Sequence, residues 1–145
     1  MSDIREYPKL FTAKECKEII TILDTTPISG TGIQINKIMV DKLLKIVGHK
    51  FPDYSFTEHI SIGTTTAPIG RHVDPLLDKR VTHKLLVYLN ELSWGGGTFF
   101  DGGTYIKPEL GKAVVFNITL PHHGEGFPKG EVKRVFGMRM FKKNL

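Results

Sequence analysis

The chain has 145 residues, 40% apolar and 24% charged, with a formal net charge of +5 and a single cysteine, Cys16. That is one domain of ordinary globular composition, large enough to bury a real core. One cysteine excludes an intramolecular disulfide and any zinc site built on several thiolates, and the lack of a run of about eighteen apolar residues excludes a transmembrane helix.

The opening MSDIREYPKLF is charged and has no apolar signal core, so secretion is not expected. With a lone thiol this points to a reducing, intracellular and cytoplasmic setting. The positive charge is spread along the chain and over the end VKRVFGMRMFKKNL. No dense basic run with interleaved aromatics occurs, so the excess reads as solvated surface and nucleic acid is not an expected partner.

LFTAKECKEIITILDTTP (10–27) reads as a helix, with Thr12 and Glu15 at capping-box spacing and Cys16, Ile19, Ile20 and Leu23 on one face. Pro27 and the SGTG after it close the helix. VDKLLKIVGHKF (40–51) reads as a second helix, with Asp41 near its start and Leu44, Val47 and Phe51 turned inward. The character then changes. YSFTEHISIG, THKLLVYLN, GTFFDGG, YIKPELGKAVVFNI and VKRVFGMRMF are short, strand-like and separated by Gly, Pro and Asn. The expected architecture is mainly β with N-terminal helices, a jelly roll in a single domain: a helical part over about 1–52 and a jelly-roll core over about 55–142.

Within GRHVDPLLDKR, His72 and Asp74 stand two residues apart, and on extended backbone such side chains point the same way. Two ligands are not a site. Downstream, LPHHGEGF offers His122 and His123, and an imidazole from there completes a set of two histidines and one carboxylate. Such a facial triad suits divalent iron and leaves coordination positions open. Taken alone, His72 reads equally as a surface histidine and Asp74, before Pro75, as a turn former.

The ordered series His72-Val-Asp74, LLVYLN, Gly95-Gly96-Gly97-Thr98-Phe99-Phe100, KPELGKAVVF and LPHHGE, followed by a basic strand, resembles the iron(II)- and 2-oxoglutarate-dependent dioxygenases, and within them the prolyl-4-hydroxylase-like branch. The resemblance covers about residues 58–141, and LFTAKECKEII is similar to the entry helix of that branch. It implies a double-stranded β-helix, the cupin-like form of the jelly roll. It also implies Fe(II), 2-oxoglutarate and O2, with ascorbate as a candidate reductant. The implied reaction is side-chain hydroxylation coupled to decarboxylation of 2-oxoglutarate to succinate, most readily on a peptidyl proline. Counted from His122, the residues that follow match the pattern His-x-Gly-x-x-apolar-x-x-Gly, so the resemblance makes His122 the third ligand and His123 a neighbour at the rim.

The family anchors the distal carboxylate of 2-oxoglutarate with a cation whose usual spacing falls here on Val132, one residue off. Lys133 and Arg134 are the candidates. Alternation puts Lys133 with Val135, Gly137 and Arg139, a face with small residues, and Arg134 with Phe136, Met138 and Met140, an apolar packing stripe. That favours Lys133, whereas the bidentate fork of arginine favours Arg134. Tyr88 of the YLN motif is a further candidate contact to the cosubstrate. Lys84, where the family often has threonine, reads as a solvent-facing strand lysine or, if its face turns inward, as a third candidate anchor. Trp94 and the DPLLDKR loop with Arg80 are expected at the substrate rim. The partner is then a peptide or a small molecule, and the oligomeric state stays open. Rival readings are a free amino-acid hydroxylase, a nucleic-acid demethylase and a non-catalytic cupin-like binding module.

Overall fold

A computed structural model describes residues 3–25, 32–65 and 69–143. The element order is β1 (Ile4–Tyr7), α1 (Ala13–Asp24), β2 (Gly32–Ile35), α2 (Lys37–Val47), β3 (Tyr54–Thr65), β4 (His83–Tyr88), β5 (Thr98–Phe100), β6 (Tyr105–Ile106), β7 (Ala113–Asn117), β8 (His122–Gly124) and β9 (Lys133–Lys142). A six-stranded sheet runs β1-β7-β4-β9-β3-β2, a three-stranded sheet runs β6-β5-β8, and the pairings are antiparallel.

The first helix begins as its sequence specifies. Thr12 accepts a hydrogen bond from the Glu15 amide at 3.1 Å, and the Glu15 carboxylate accepts one from the Thr12 amide at 2.9 Å. Cys16, Ile19 and Leu23 are buried and Ile20 partly so. Pro27 and Ser29–Gly30, expected to end this helix, lie outside the described residues. The second helix starts earlier than expected. Asn36, not Asp41, caps it by accepting from the Met39 amide, which moves the buried face to Met39, Val40, Leu43 and Val47. Leu44 is consequently only partly buried, and Phe51 closes the cluster just past the helix end.

The N-terminal third is not purely helical. β1 pairs with β7 and β2 with β3, so both extend the main sheet. A buried Lys112 helps dock β1 by ion-pairing Glu6 and Glu109 across the KPELG turn. Gly111 makes that turn possible: its φ is +81°, and a Cβ there would sit 2.0 Å from the Phe11 carbonyl oxygen.

The main sheet is apolar on both faces, as its near-continuous hydrophobic strands demand. One face carries Leu85, Val87, Val115, Phe136, Met138 and Met140 against the two helices. The other turns Tyr88, Val114 and Phe116 toward Phe100 and Ile106 of the small sheet. This sandwich is a jelly roll with a helical buttress. One end between the sheets stays open, and there β4, β8 and β9 present their polar side chains. No helix among the described residues is long and apolar enough to cross a membrane.

Candidate metal centre

His72 and His122 face each other across an isolated antiparallel bridge: each amide donates to the other's carbonyl, at 2.9 and 3.0 Å. Opposed residues of such a bridge point to one side, and the two ring centroids are 4.4 Å apart. The bridge has a local cause. Pro121 and Leu120 turn the chain after β7 so that β8 leaves toward β5, where His122 opposes Phe100. Asp74 follows one residue beyond Val73, and its strap is held from beneath by Arg139, whose Nε donates to the Pro75 carbonyl at 2.9 Å.

The two imidazoles share an orienting device. His72 Nδ1 lies 2.8 Å from the Gly70 carbonyl oxygen, and His122 Nδ1 lies 3.0 Å from that of Leu120. A carbonyl only accepts, so each Nδ1 carries a proton, which leaves each Nε2 as the nitrogen available to a metal. Both Nε2 atoms turn toward Asp74, at 3.7 Å from Oδ1 for His72 and 3.3 Å from Oδ2 for His122. One ligand atom from each of the three residues falls within 4.8 Å of the others.

This donor set fits a divalent cation. Asp74 Oδ2 is buried, accepts no hydrogen bond among the described residues, and lies 3.3 Å from His122 Nε2. A buried carboxylate oxygen left without a hydrogen bond beside an imidazole nitrogen is a place that a positive centre would satisfy. Two imidazoles and one carboxylate are the ligands that iron(II) accepts while keeping positions open. Burial works against the charged Asp74 carboxyl, but His122 and the Lys84 ammonium outweigh it and hold the group well below the usual carboxylate range.

The triad sits in a cavity of roughly 200 Å³, shared with Lys84, Leu86, Thr98, Lys133, Val135 and Gly137. Lys133 is buried and has no hydrogen-bond or ion-pair partner among the described residues. Burial pushes its ammonium down to about 8, opposed only by the charge of Glu125. Arg134, its neighbour, points out of the opposite face and ion-pairs Asp24 of α1, with Nη1 3.2 Å from Oδ2. The alternation inferred for β9 therefore holds. Lys133 faces the cavity, and Arg134 ties the sheet to a helix.

Lys84 corrects an expectation. It is buried rather than solvent-facing, and its ammonium stands 3.0 Å from Asp74 Oδ1. Its partner is thus the carboxylate of the candidate metal triad. Burial lowers the Lys84 ammonium and Asp74 acts in the other direction. Tyr88 is fully buried behind the cavity wall; its hydroxyl hydrogen-bonds Thr98 Oγ1 at 2.5 Å, and its ring lies beneath Lys133.

Three rim candidates lie elsewhere. Trp94 is 62% exposed and borders a separate groove with Tyr105 and Pro108. Arg80 pairs with Asp78 and covers the Phe141 ring, away from the triad. His123 alternates to the far side of β8 and stacks on Phe99, with centroids 5.0 Å apart. The side chains that do border the cavity mouth are Ile33 and Ile69, which sequence reasoning missed because nothing local marks an exposed isoleucine. Thr98, on the cavity wall, was visible in the glycine-rich motif but given no role.

No protein-family model and no curated protein matches this sequence. Solved structures do. An oxidoreductase of the 2OG-Fe(II) oxygenase family from Burkholderia pseudomallei superposes with a TM-score of 0.74 at 14% identity, covering 98% of this chain and 85% of that one. A Pseudomonas putida prolyl-4-hydroxylase gives 0.67 at 18% identity, over 99% of this chain and 95% of that one. A prolyl hydroxylase from Trichoplax adhaerens, solved with a peptide fragment of the hypoxia inducible factor oxygen degradation domain, gives 0.67 at 14% identity, over 98% and 84%. At such identities the likeness is one of fold. The chain has the double-stranded β-helix of these oxygenases, as the motif series implied.

Proposed function

We propose that this chain is an iron(II)- and 2-oxoglutarate-dependent dioxygenase that hydroxylates an amino-acid side chain within a peptide, proline being the first candidate. The observation that carries the reading is the meeting, in one cavity, of an imidazole-imidazole-carboxylate set with a buried ammonium that has no ion-pair partner among the described residues. His72, Asp74 and His122 would hold the metal, and Lys133 would hold the distal carboxylate of the cosubstrate. When bound, iron(II) and 2-oxoglutarate supply the chemistry: dioxygen places one oxygen atom in succinate, with release of carbon dioxide, and the other in a substrate C–H bond.

The chain's own residues do modest physical work. The Nδ1 contacts to Gly70 and Leu120 keep both imidazoles in the tautomer and orientation a metal needs. Lys133 offers a charge that water serves poorly at its depth, so a carboxylate arriving there gains a full ion pair. Leu86, Val135 and Ile62 wall the cavity and exclude water from the reacting groups.

A peptide fits better than a free amino acid. A zwitterion needs a carboxylate for its ammonium, and the only carboxylate lining the cavity among the described residues is Asp74, already engaged. Ile33 and Ile69 at the mouth, with Val73, Leu76 and Leu77 exposed nearby in sequence to Asp74, offer apolar surface for residues flanking the target. Such a surface also disfavours nucleic acid. The buried free thiol of Cys16 suits a reducing compartment. The test is succinate release with Fe(II), 2-oxoglutarate and a panel of proline-containing peptides beside free proline and lysine. Turnover that depends on iron and disappears in Asp74→Ala is expected; full turnover in that variant, or none in the native protein, overturns the reading.

A further inference from the structure

The function proposed above leaves Lys84 without a task, although it is among the most deeply placed charges in the molecule. It shares the inward face of β4 with Leu86, and β4 sets Leu86 opposite Gly137 of β9. The lysine stem lies over that glycine: a Cβ at Gly137 would come 2.6 Å from Lys84 Cε. The stem thereby delivers the ammonium to Asp74 Oδ1, 3.0 Å away, while Oδ2 stays without a hydrogen bond.

The charges around the cavity are unbalanced. Asp74 is its only lining carboxylate among the described residues, and Lys84 already neutralises it. The two imidazoles are oriented by the Gly70 and Leu120 carbonyls and bring no carboxylate of their own. Lys133 adds an ammonium at the cavity wall, and the buried Arg139 guanidinium lies beneath the strap that bears Asp74. A dication entering here meets a carboxylate whose charge is already answered, in surroundings where charges interact strongly.

We propose that Lys84 is a built-in counter-ion of Asp74: a positioning residue that keeps the carboxylate in its ligand orientation when the metal is absent, and whose charge the metal must oppose when it binds. By holding Oδ1 it offers the ion a single oxygen, Oδ2. By its charge it keeps metal affinity low and metal exchange ready. The inference rests on Asp74 being a metal ligand.

The experiment titrates Mn(II) into the metal-free native protein, Lys84→Met and Lys84→Gln, reading Kd by calorimetry and the thermal midpoint with and without the ion. In Lys84→Met the metal-free midpoint should fall, the rise produced by Mn(II) should grow, and Kd should tighten by about tenfold or more. Lys84→Gln keeps a donor for Oδ1 without the charge, so its metal-free midpoint should fall less while Kd still tightens. A lysine that merely filled space would lower both midpoints equally and leave Kd alone. An unchanged or weaker Kd in both variants overturns the proposal. A Lys84→Met protein that folds only with Mn(II) supports it, and failure of both variants to fold with Mn(II) makes Lys84 a core strut and overturns it. If the native protein takes up no Mn(II), the metal-centre reading falls and this inference with it; native uptake without a shift in the variants sinks only the inference.

Discussion

The Lys133 ammonium stands 5.9 Å from the centre of the Tyr88 ring and faces the cavity with no ion-pair partner among the described residues. A buried cation left in that condition costs stability and marks a place where an anion is expected. Its neighbour Arg134 has a partner already, Asp24, so on β9 Lys133 faces the cavity and Arg134 ties the strand to α1.

Removing the anchor should therefore be costly for binding and harmless for folding. In Lys133→Met the 2-oxoglutarate carboxylate loses its partner, and the KM for 2-oxoglutarate should rise by roughly 30- to 4,000-fold, the equivalent of about 2–5 kcal/mol. Arg134→Ala should leave that KM unchanged and lower stability by less than about 1 kcal/mol, since the Asp24 side of the pair is well exposed. Steady-state kinetics and urea denaturation on the two variants decide the matter. A large KM effect at Arg134 with none at Lys133 would mean that the strand's faces are reversed.

The same lysine sets a pH dependence. Its folded-state value is pushed down to about 8 from an ordinary 10.5, so between those limits the unfolded chain binds the extra proton and stability rises with pH. Below about pH 8 both states are protonated and the full cost of burial, roughly 3 kcal/mol, is present. Denaturation of the metal-free protein should show it stabilising from pH 8 to 10, and Lys133→Met should lack that gain. Cosubstrate binding needs the ammonium, so 2-oxoglutarate affinity of the Mn(II)-loaded protein should weaken by up to about tenfold per pH unit above 8. A flat affinity across that range would remove Lys133 from the role.

The histidines were separable in sequence only through the pattern that follows them, and geometry now separates them by alternation. His122 points into the cavity with Nε2 beside Asp74, and His123 lies flat on Phe99 on the other side of β8. His122→Ala should abolish metal-dependent turnover and lower Mn(II) uptake. His123→Ala should leave metal stoichiometry intact and lose only the stacking, about 0.5–1.5 kcal/mol of stability. Metal content by elemental analysis checks both. Metal loss in His123→Ala alone would exchange their roles.

The three residues of the triad were legible because each sits in a short motif of fixed order, and the alternation of β9 was legible because a strand has only two faces. Other features depend on contacts between distant residues. The strands at Ile4–Tyr7 and Gly32–Ile35 are too short and too mixed in polarity to announce themselves, and they exist because β7 and β3 offer open edges. The start of α2 was read late, near Asp41, because the cap at Asn36 and the burial of Met39 and Val40 depend on packing against the sheet. Lys84 was legible as a strand residue, with an inward-turned face as one of its two readings. A lone lysine on a strand still reads as exposed until Asp74 arrives from ten residues upstream to receive it. Trp94 misled in the opposite sense, as a large aromatic beside glycines that the fold leaves in solvent.

Gly137 offers a check on the Lys84 pairing that leaves every charged residue in place. An alanine there would set its Cβ 2.6 Å from Lys84 Cε and 3.2 Å from the Leu85 carbonyl oxygen. The backbone oxygen is fixed by the sheet, so the flexible lysine stem must yield and its ammonium must leave Asp74. Overpacking of this kind costs about 1–3 kcal/mol, and the metal-free protein should lose that much in denaturation. Freed of its counter-ion, Asp74 should then bind Mn(II) more tightly than in the native protein, as in Lys84→Met. The two substitutions act on one contact, so the double variant should show clearly less than the summed effects on Mn(II) affinity. Additive effects, or a native Kd in Gly137→Ala, would show that the glycine serves only the sheet and that Lys84 keeps its place without it.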